Sequence, residues 1–142
     1  ALEFLRASNF AGIAFGRAGC AAVHAMAYPL GGVHHIPHGQ ANQLMFADVM
    51  RKYQEKKPIG KLNQLEEILS KELEVEPVFA LEKLYALMDE VLKKDPLREH
   101  GVTADELPDF ARNVIETQQR LLGNNYVELT EDDILSIYRA AF

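Results

Sequence analysis

The chain has 142 residues, 48% hydrophobic and 25% charged, which is enough for one domain with a sizeable core. Its formal net charge of −6, with the basic residues scattered, opposes a phosphate backbone and argues against a nucleic-acid partner. No apolar run approaches the roughly 18 residues needed to span a membrane, no signal-peptide pattern opens the chain, and Cys20 has no second cysteine to pair with; a cytoplasmic protein with no membrane partner is expected.

Residues 2 to 18 carry apolar side chains at helical spacing, rich in Ala, Phe and Ile, and predict a buried helix. The chain enters this helix at once and without a methionine, so a fragment with a natural C-terminus is expected. A short second helix is predicted from Gly19 to Tyr28, ended by Pro29 and Gly31-Gly32. A third follows Pro37, with Leu44, Met45, Val49 and Tyr53 on one stripe. The basic run Lys56-Lys57-Pro58-Ile59-Gly60-Lys61 reads as a solvated turn. Leu62, Leu65, Leu69 and Leu73 mark a fourth helix, and Val78, Leu81, Leu84, Met88 and Leu92 a fifth that stops near Asp95-Pro96.

Two further helices carry start signals. Thr103 with Glu106 is a capping box, in which hydroxyl and carboxylate satisfy exposed backbone N–H groups. Thr130 with Asp133 is a shorter version, and Gly123-Asn124-Asn125 between them is a helix stop. The expected fold class is all-α, about seven helices, as a single helical domain over residues 1–142.

Four of the five histidines fall between His24 and His38, in "HAMAYPLGGVHHIPH". Imidazole is the commonest protein ligand for divalent transition metals. His24 on one helix and His38 at the start of the next, joined by a Gly- and Pro-containing loop, can be folded toward a common point. His34 and His35 are placed within that loop. The spacing matches no compact zinc pattern, and two ligands are too few for a closed site. On residues alone three readings stay open: a metal-dependent enzyme domain, a metal hydrolase using a zinc-bound water, and a helical interaction or scaffold domain whose histidines bind nothing.

The wording around the cluster is more specific. "AGIAFGRAGCAAVHAMAYPLGGVHHIPHGQAN" resembles the signature of the iron-containing (group III) alcohol dehydrogenases, with more than a dozen identities over some thirty residues. The resemblance implies the C-terminal helical domain of a two-domain enzyme, with His24 and His38 as two of four metal ligands. It implies a divalent metal, Fe(II) or Zn(II), and NAD as cofactors, and a small alcohol or aldehyde as substrate. Phe15 falls where the family lines its substrate cleft. The other two ligands, an Asp and a His, and the nucleotide-binding domain belong upstream of Ala1, so the chain alone is expected to be inactive.

"AYPLGG", "HHIPHGQAN" and "TQQRLLGNNYVELT" resemble the branch of the family that interconverts 4-hydroxybutyrate and succinate semialdehyde. Tyr28 stands where many relatives carry a histidine. One turn after His24, it should face the same site, either as a catalytic hydrogen-bond donor or as a wall of the pocket. Arg17, His34 and His35 are candidates for a substrate carboxylate, against a surface ion pair for Arg17 and plain solvation for the two histidines. Cys20 and the four methionines are expected as packing, and His100 as a helix-end residue interacting with terminal carbonyls. Apolar faces left uncovered by a missing domain are a reason to expect a homodimer of the fragment.

Overall fold

A computed structural model describes residues 1–142. It contains helices and turns and no strand, in agreement with the all-α expectation. Eight helices occur in chain order: α1 (Leu2–Ala18), α2 (Ala22–His34), α3 (His38–Lys56), α4 (Lys61–Leu73), α5 (Ala80–Val91), α6 (Leu107–Thr117), α7 (Gln119–Leu122) and α8 (Glu131–Ala141). The helix beyond the expected seven is α7, a single turn. Short 3-10 turns at Pro77–Phe79, Leu97–His100 and Ala104–Glu106 fill the connections.

The centre of the domain is the pair α2 and α3, with α6 and α8 packed on one side. Small residues on α2 (Ala22, Ala25, Ala27) let the neighbouring backbones approach closely, and Met26 and Leu30 fill what remains. Leu44, Met45 and Val49 of α3 share one buried core with Val114 of α6 and Ile134, Ile137 and Tyr138 of α8. Each of these large side chains contributes roughly 1.5–3 kcal/mol by leaving water. Helices α4 and α5 form a second pair beside this core, held partly by Leu62, Leu81 and Tyr85.

Local signals explain the starts of several helices. Glu106 Oε2 accepts from the Thr103 N–H at 2.7 Å and from its hydroxyl at 2.8 Å, and a 3-10 turn then leads directly into α6. Thr130 and Asp133 exchange bonds in both directions at the start of α8. Before α4, Asn63 reaches back to the Gly60 N–H at 2.7 Å, and Gly60, at φ 146°, takes a conformation that side chains oppose.

Three expectations are corrected. The first helix is not buried: every residue of α1 is exposed, Phe4 at 84% and Phe10 at 69%. It leaves the domain at a bend of 102° to α2, and nothing in the chain covers its apolar side chains. Second, Pro29 does not end α2, which continues to His34. Pro29 has no N–H to offer the Ala25 carbonyl, but its ring is buried in the core, and the Tyr138 hydroxyl donates to the neighbouring Met26 carbonyl. The helix ends instead at His35, in the left-handed region at φ 55°, where the Leu30 carbonyl accepts from the His35 N–H. Third, α5 stops at Val91, before Asp95-Pro96, and Val78 and Leu92 of its expected stripe are exposed.

No single helix is long and apolar enough to cross a membrane.

Candidate metal centre

His24 is the third residue of α2 and His38 the first of α3. The left-handed turn at His35, followed by extended Pro37, reverses the chain between them. That reversal brings the two imidazoles to a centroid separation of 5.2 Å, inclined at 54°. Burial, and secondarily the neighbouring His38, push the His24 pKa below the usual histidine value. The uncharged imidazole, with a free lone pair, is therefore favoured at neutral pH, as metal ligation requires.

Asn42, one turn into α3, adds a detail that the histidine spacing does not reveal. Its Nδ2 lies 2.9 Å from the His38 carbonyl oxygen and 3.1 Å from His38 Nε2. An amide nitrogen only donates, so Nε2 accepts and the ring proton sits on Nδ1. His38 Nε2 is thus unprotonated, with its lone pair engaged by the Asn42 N–H, a bond that a metal there would displace. The i, i+4 spacing in "HGQAN" was the only sequence signal for this contact.

Two more rings complete the cluster. Tyr28 stacks on His38 at 6.3 Å with an interplanar angle of 24°, and 43% of it remains exposed. Phe15 reaches across from α1 to within 6.1 Å of the His24 ring. All four residues singled out for the site, Phe15, His24, Tyr28 and His38, therefore meet at one face.

No group of three or more His, Cys, Asp or Glu side chains comes together to hold a metal. The donor set fits a divalent ion in kind and falls short in number: two imidazoles fill two positions of a coordination sphere. A cavity of about 340 Å³ between α3 and α5, walled in part by Phe46, Arg51 and Tyr85, includes neither histidine. Its charges are satisfied internally, with Arg51 bonded to both Glu82 oxygens and Lys94 to buried Asp48.

The remaining candidates lie apart from this cluster. His34 is not a solvated loop residue but the last residue of α2. Its Nε2 is 3.0 Å from Glu106 Oε1 and its ring lies edge-on to Phe110. That bond links the end of α2 to the capping box of the 3-10 turn before α6, a pairing across 72 residues with no local signal. His35 is exposed in the left-handed turn. Arg17 is exposed at the end of α1 and, contrary to expectation, forms no ion pair. His100 ends a 3-10 turn with its Nε2 buried and unpartnered, not bonded to terminal carbonyls. Cys20 packs against the core as expected, as do Met26, Met45 and Met50 within it.

Comparison with known proteins bears on this arrangement. The family model for the Fe-containing alcohol dehydrogenase family, C-terminal, matches residues 2–142. The 4-hydroxybutyrate dehydrogenase of Clostridium kluyveri is 44% identical over 140 residues, covering 99% of this chain and 38% of that protein. Long-chain-alcohol dehydrogenase 1 of Geobacillus thermodenitrificans is 35% identical over 145 residues, covering 99% of this chain and 36% of that protein. Among solved structures, a 1,3-propanediol oxidoreductase superposes with a TM-score of 0.69 at 28% identity, over 86% of this chain and 32% of the other. The chain thus spans less than two fifths of the length of these proteins. Because the family match runs from the second residue to the last, the chain belongs to the Fe-containing alcohol dehydrogenase family, as its C-terminal helical domain.

Proposed function

We propose that residues 1–142 are the metal-binding domain of an NAD-dependent alcohol dehydrogenase that interconverts 4-hydroxybutyrate and succinate semialdehyde. The observation that carries the reading is the convergence of His24 and His38 at 5.2 Å. The substrate assignment draws on the 44% identity to a 4-hydroxybutyrate dehydrogenase.

His24 and His38 are the residues that would hold the metal: burial keeps the His24 ring uncharged, and Asn42 keeps His38 Nε2 unprotonated through a hydrogen bond that a metal there would displace. A bound Fe(II) or Zn(II) supplies Lewis acidity at the substrate oxygen, and NAD supplies the hydride chemistry. Tyr28 presents a phenol beside His38 and donates a hydrogen bond to that oxygen. Phe15 forms an apolar wall next to His24 and limits water there. The other two metal ligands and the nucleotide-binding domain lie in a part of the protein outside these residues, so the 142-residue chain alone is inactive. The reading includes a cytoplasmic location, with Cys20 unpaired in a reducing compartment. It also includes self-association of the isolated chain through the exposed apolar side chains of α1.

The test is made in the full-length protein. His24→Ala and His38→Ala should each abolish metal retention and NADH oxidation together. Retention of both metal and turnover in the two variants would leave a scaffold domain as the better account. Ester or amide hydrolysis without any nicotinamide would instead favour a hydrolase.

A further inference from the structure

The stretch Gly123-Asn124-Asn125 does more than stop a helix. Between Ala18 and Ala22 the chain turns through 102°, and Gly19 at the corner sits at φ 73°. Such a corner leaves backbone groups of two helix ends without intrahelical partners. Helix α2 begins at Ala21-Ala22, where no local side chain can cap it. Two asparagines from the far end of the chain supply the missing partners. Asn125 Oδ1 accepts from the Ala22 N–H at 2.7 Å, across 103 residues. Asn124 Nδ2 donates to the Cys20 carbonyl at 2.9 Å. The approach is close enough that a Cβ on Gly19 would lie 2.8 Å from Asn124 Nδ2.

Asn125 also reaches α3. The same Oδ1 accepts from the Tyr53 hydroxyl at 2.8 Å, and burial pushes that hydroxyl's pKa up to about 12, so it stays a donor. One oxygen therefore ties the start of α2, two residues before His24, to the body of the helix that begins with His38. On the other side of the corner, the Gly19 N–H donates to the Phe15 carbonyl at 2.8 Å, so the angle held by Asn124 also sets where the Phe15 ring meets His24.

We propose that Asn124 and Asn125 are positioning residues, whose amides clamp the α1–α2 corner and so place Phe15 and His24 in the metal centre. The two act through opposite ends of the amide. Asn125 works as an acceptor only, since its Nδ2 is buried without a partner. An aspartate there keeps both bonds and places negative charge at the N-terminus of α2, where the helix dipole favours it. Asn124 works as a donor, and an aspartate there would set a carboxylate against the Cys20 carbonyl.

The proposal rests on the metal-centre reading above, and its test separates the two. Full-length protein loaded with Co(II) reports metal affinity and, by visible absorption, ligand geometry. Amide hydrogen exchange at Ala22 reports the clamp without reference to metal. Asn125→Asp should retain Co(II) affinity, the visible spectrum and Ala22 protection. Asn125→Leu should lose Ala22 protection and weaken Co(II) binding by about tenfold or more, as expected when a ligand loses the groups that orient it. Asn124→Asp should raise substrate KM with Co(II) affinity unchanged within about twofold, a split that general destabilisation would not produce. Equal Ala22 protection in Asn125→Asp and Asn125→Leu overturns the clamp, whatever the metal does. Lost Ala22 protection with unaltered Co(II) affinity in Asn125→Leu overturns its role in the centre. Should Asn125→Leu fail to fold, Tyr53→Phe removes one of the two donors and should weaken Co(II) by a few-fold; no change in affinity or spectrum counts against the proposal. A parent protein that binds no Co(II) at His24 and His38 refutes the metal reading alone, and the exchange measurement still decides the clamp.

Discussion

The Tyr138 hydroxyl, fully buried in α8, donates at 2.7 Å to the carbonyl of Met26, three residues before Pro29 in α2. This bond crosses 112 residues of sequence and supports the helix where proline has weakened it. Burial also drives the phenol's pKa far above its usual value, so no ionised form competes with the bond.

Tyr138→Phe removes the donor and leaves the carbonyl buried, a loss of about 1–3 kcal/mol. The expected result is a fall of about 2–8 °C in the thermal midpoint. Circular dichroism of the 142-residue chain measures it, and an unchanged midpoint would show that the carbonyl is satisfied by other means.

Asn42 sets the proton position of His38, so its replacement by an acceptor should act through this proposed ligand. In Asn42→Asp the carboxylate faces Nε2 and draws the ring proton there, so a metal must displace a bonded proton where in the parent it displaces only a hydrogen bond. Metal affinity at neutral pH should drop by about tenfold, read by competition with a chelator. Equal affinity in the variant and the parent would remove Asn42 from the account of the centre.

Tyr28→Phe separates a hydrogen-bond donor from a wall. Ring stacking on His38 survives the change while the hydroxyl is lost. With the full-length enzyme, kcat should fall by about 3–10-fold, the worth of one hydrogen bond, with metal content unchanged. A change confined to KM would make Tyr28 a shape determinant only.

Acid should unfold the domain partly through its capping carboxylates. Burial tends to raise the pKa of Asp133, but Lys56 and the N–H and hydroxyl of Thr130 outweigh it and hold the group below the usual aspartate value. Glu106 is held low chiefly by the Thr103 N–H and hydroxyl, with His34 adding to them. A carboxylate whose pKa is depressed by folding stabilises the protein fully above its unfolded value and loses that contribution as pH falls through its folded value. Stability should therefore decline from near about pH 4 downward. Urea titrations of the chain at a series of pH values should show a shallower decline for Asp133→Asn and Glu106→Gln. Parallel declines in variant and parent would place the acid sensitivity elsewhere.

Much of this was legible in the residues because it is local. The stripe Leu44, Met45, Val49 and Tyr53 and the boxes Thr103/Glu106 and Thr130/Asp133 involve contacts within one or two helical turns, and each formed as read. The words around His24 and His38 marked the family, and Pro37 marked the start of α3, whereas Gly31 and Gly32, read as a stop, lie inside α2. Only the tertiary structure decided the rest. Pro29 sits inside α2 with its ring buried in the core, and the carbonyl of nearby Met26 takes a bond from Tyr138, far away in sequence. Whether α1 is buried depends on a partner surface, and this chain contains none for it. His34 became a structural residue through Glu106, and a helix stop became a clamp through the backbone of Cys20 and Ala22. The physical reason is the same in each case: helical periodicity records which face is apolar, whereas a buried polar atom finds its partner only after distant segments have packed.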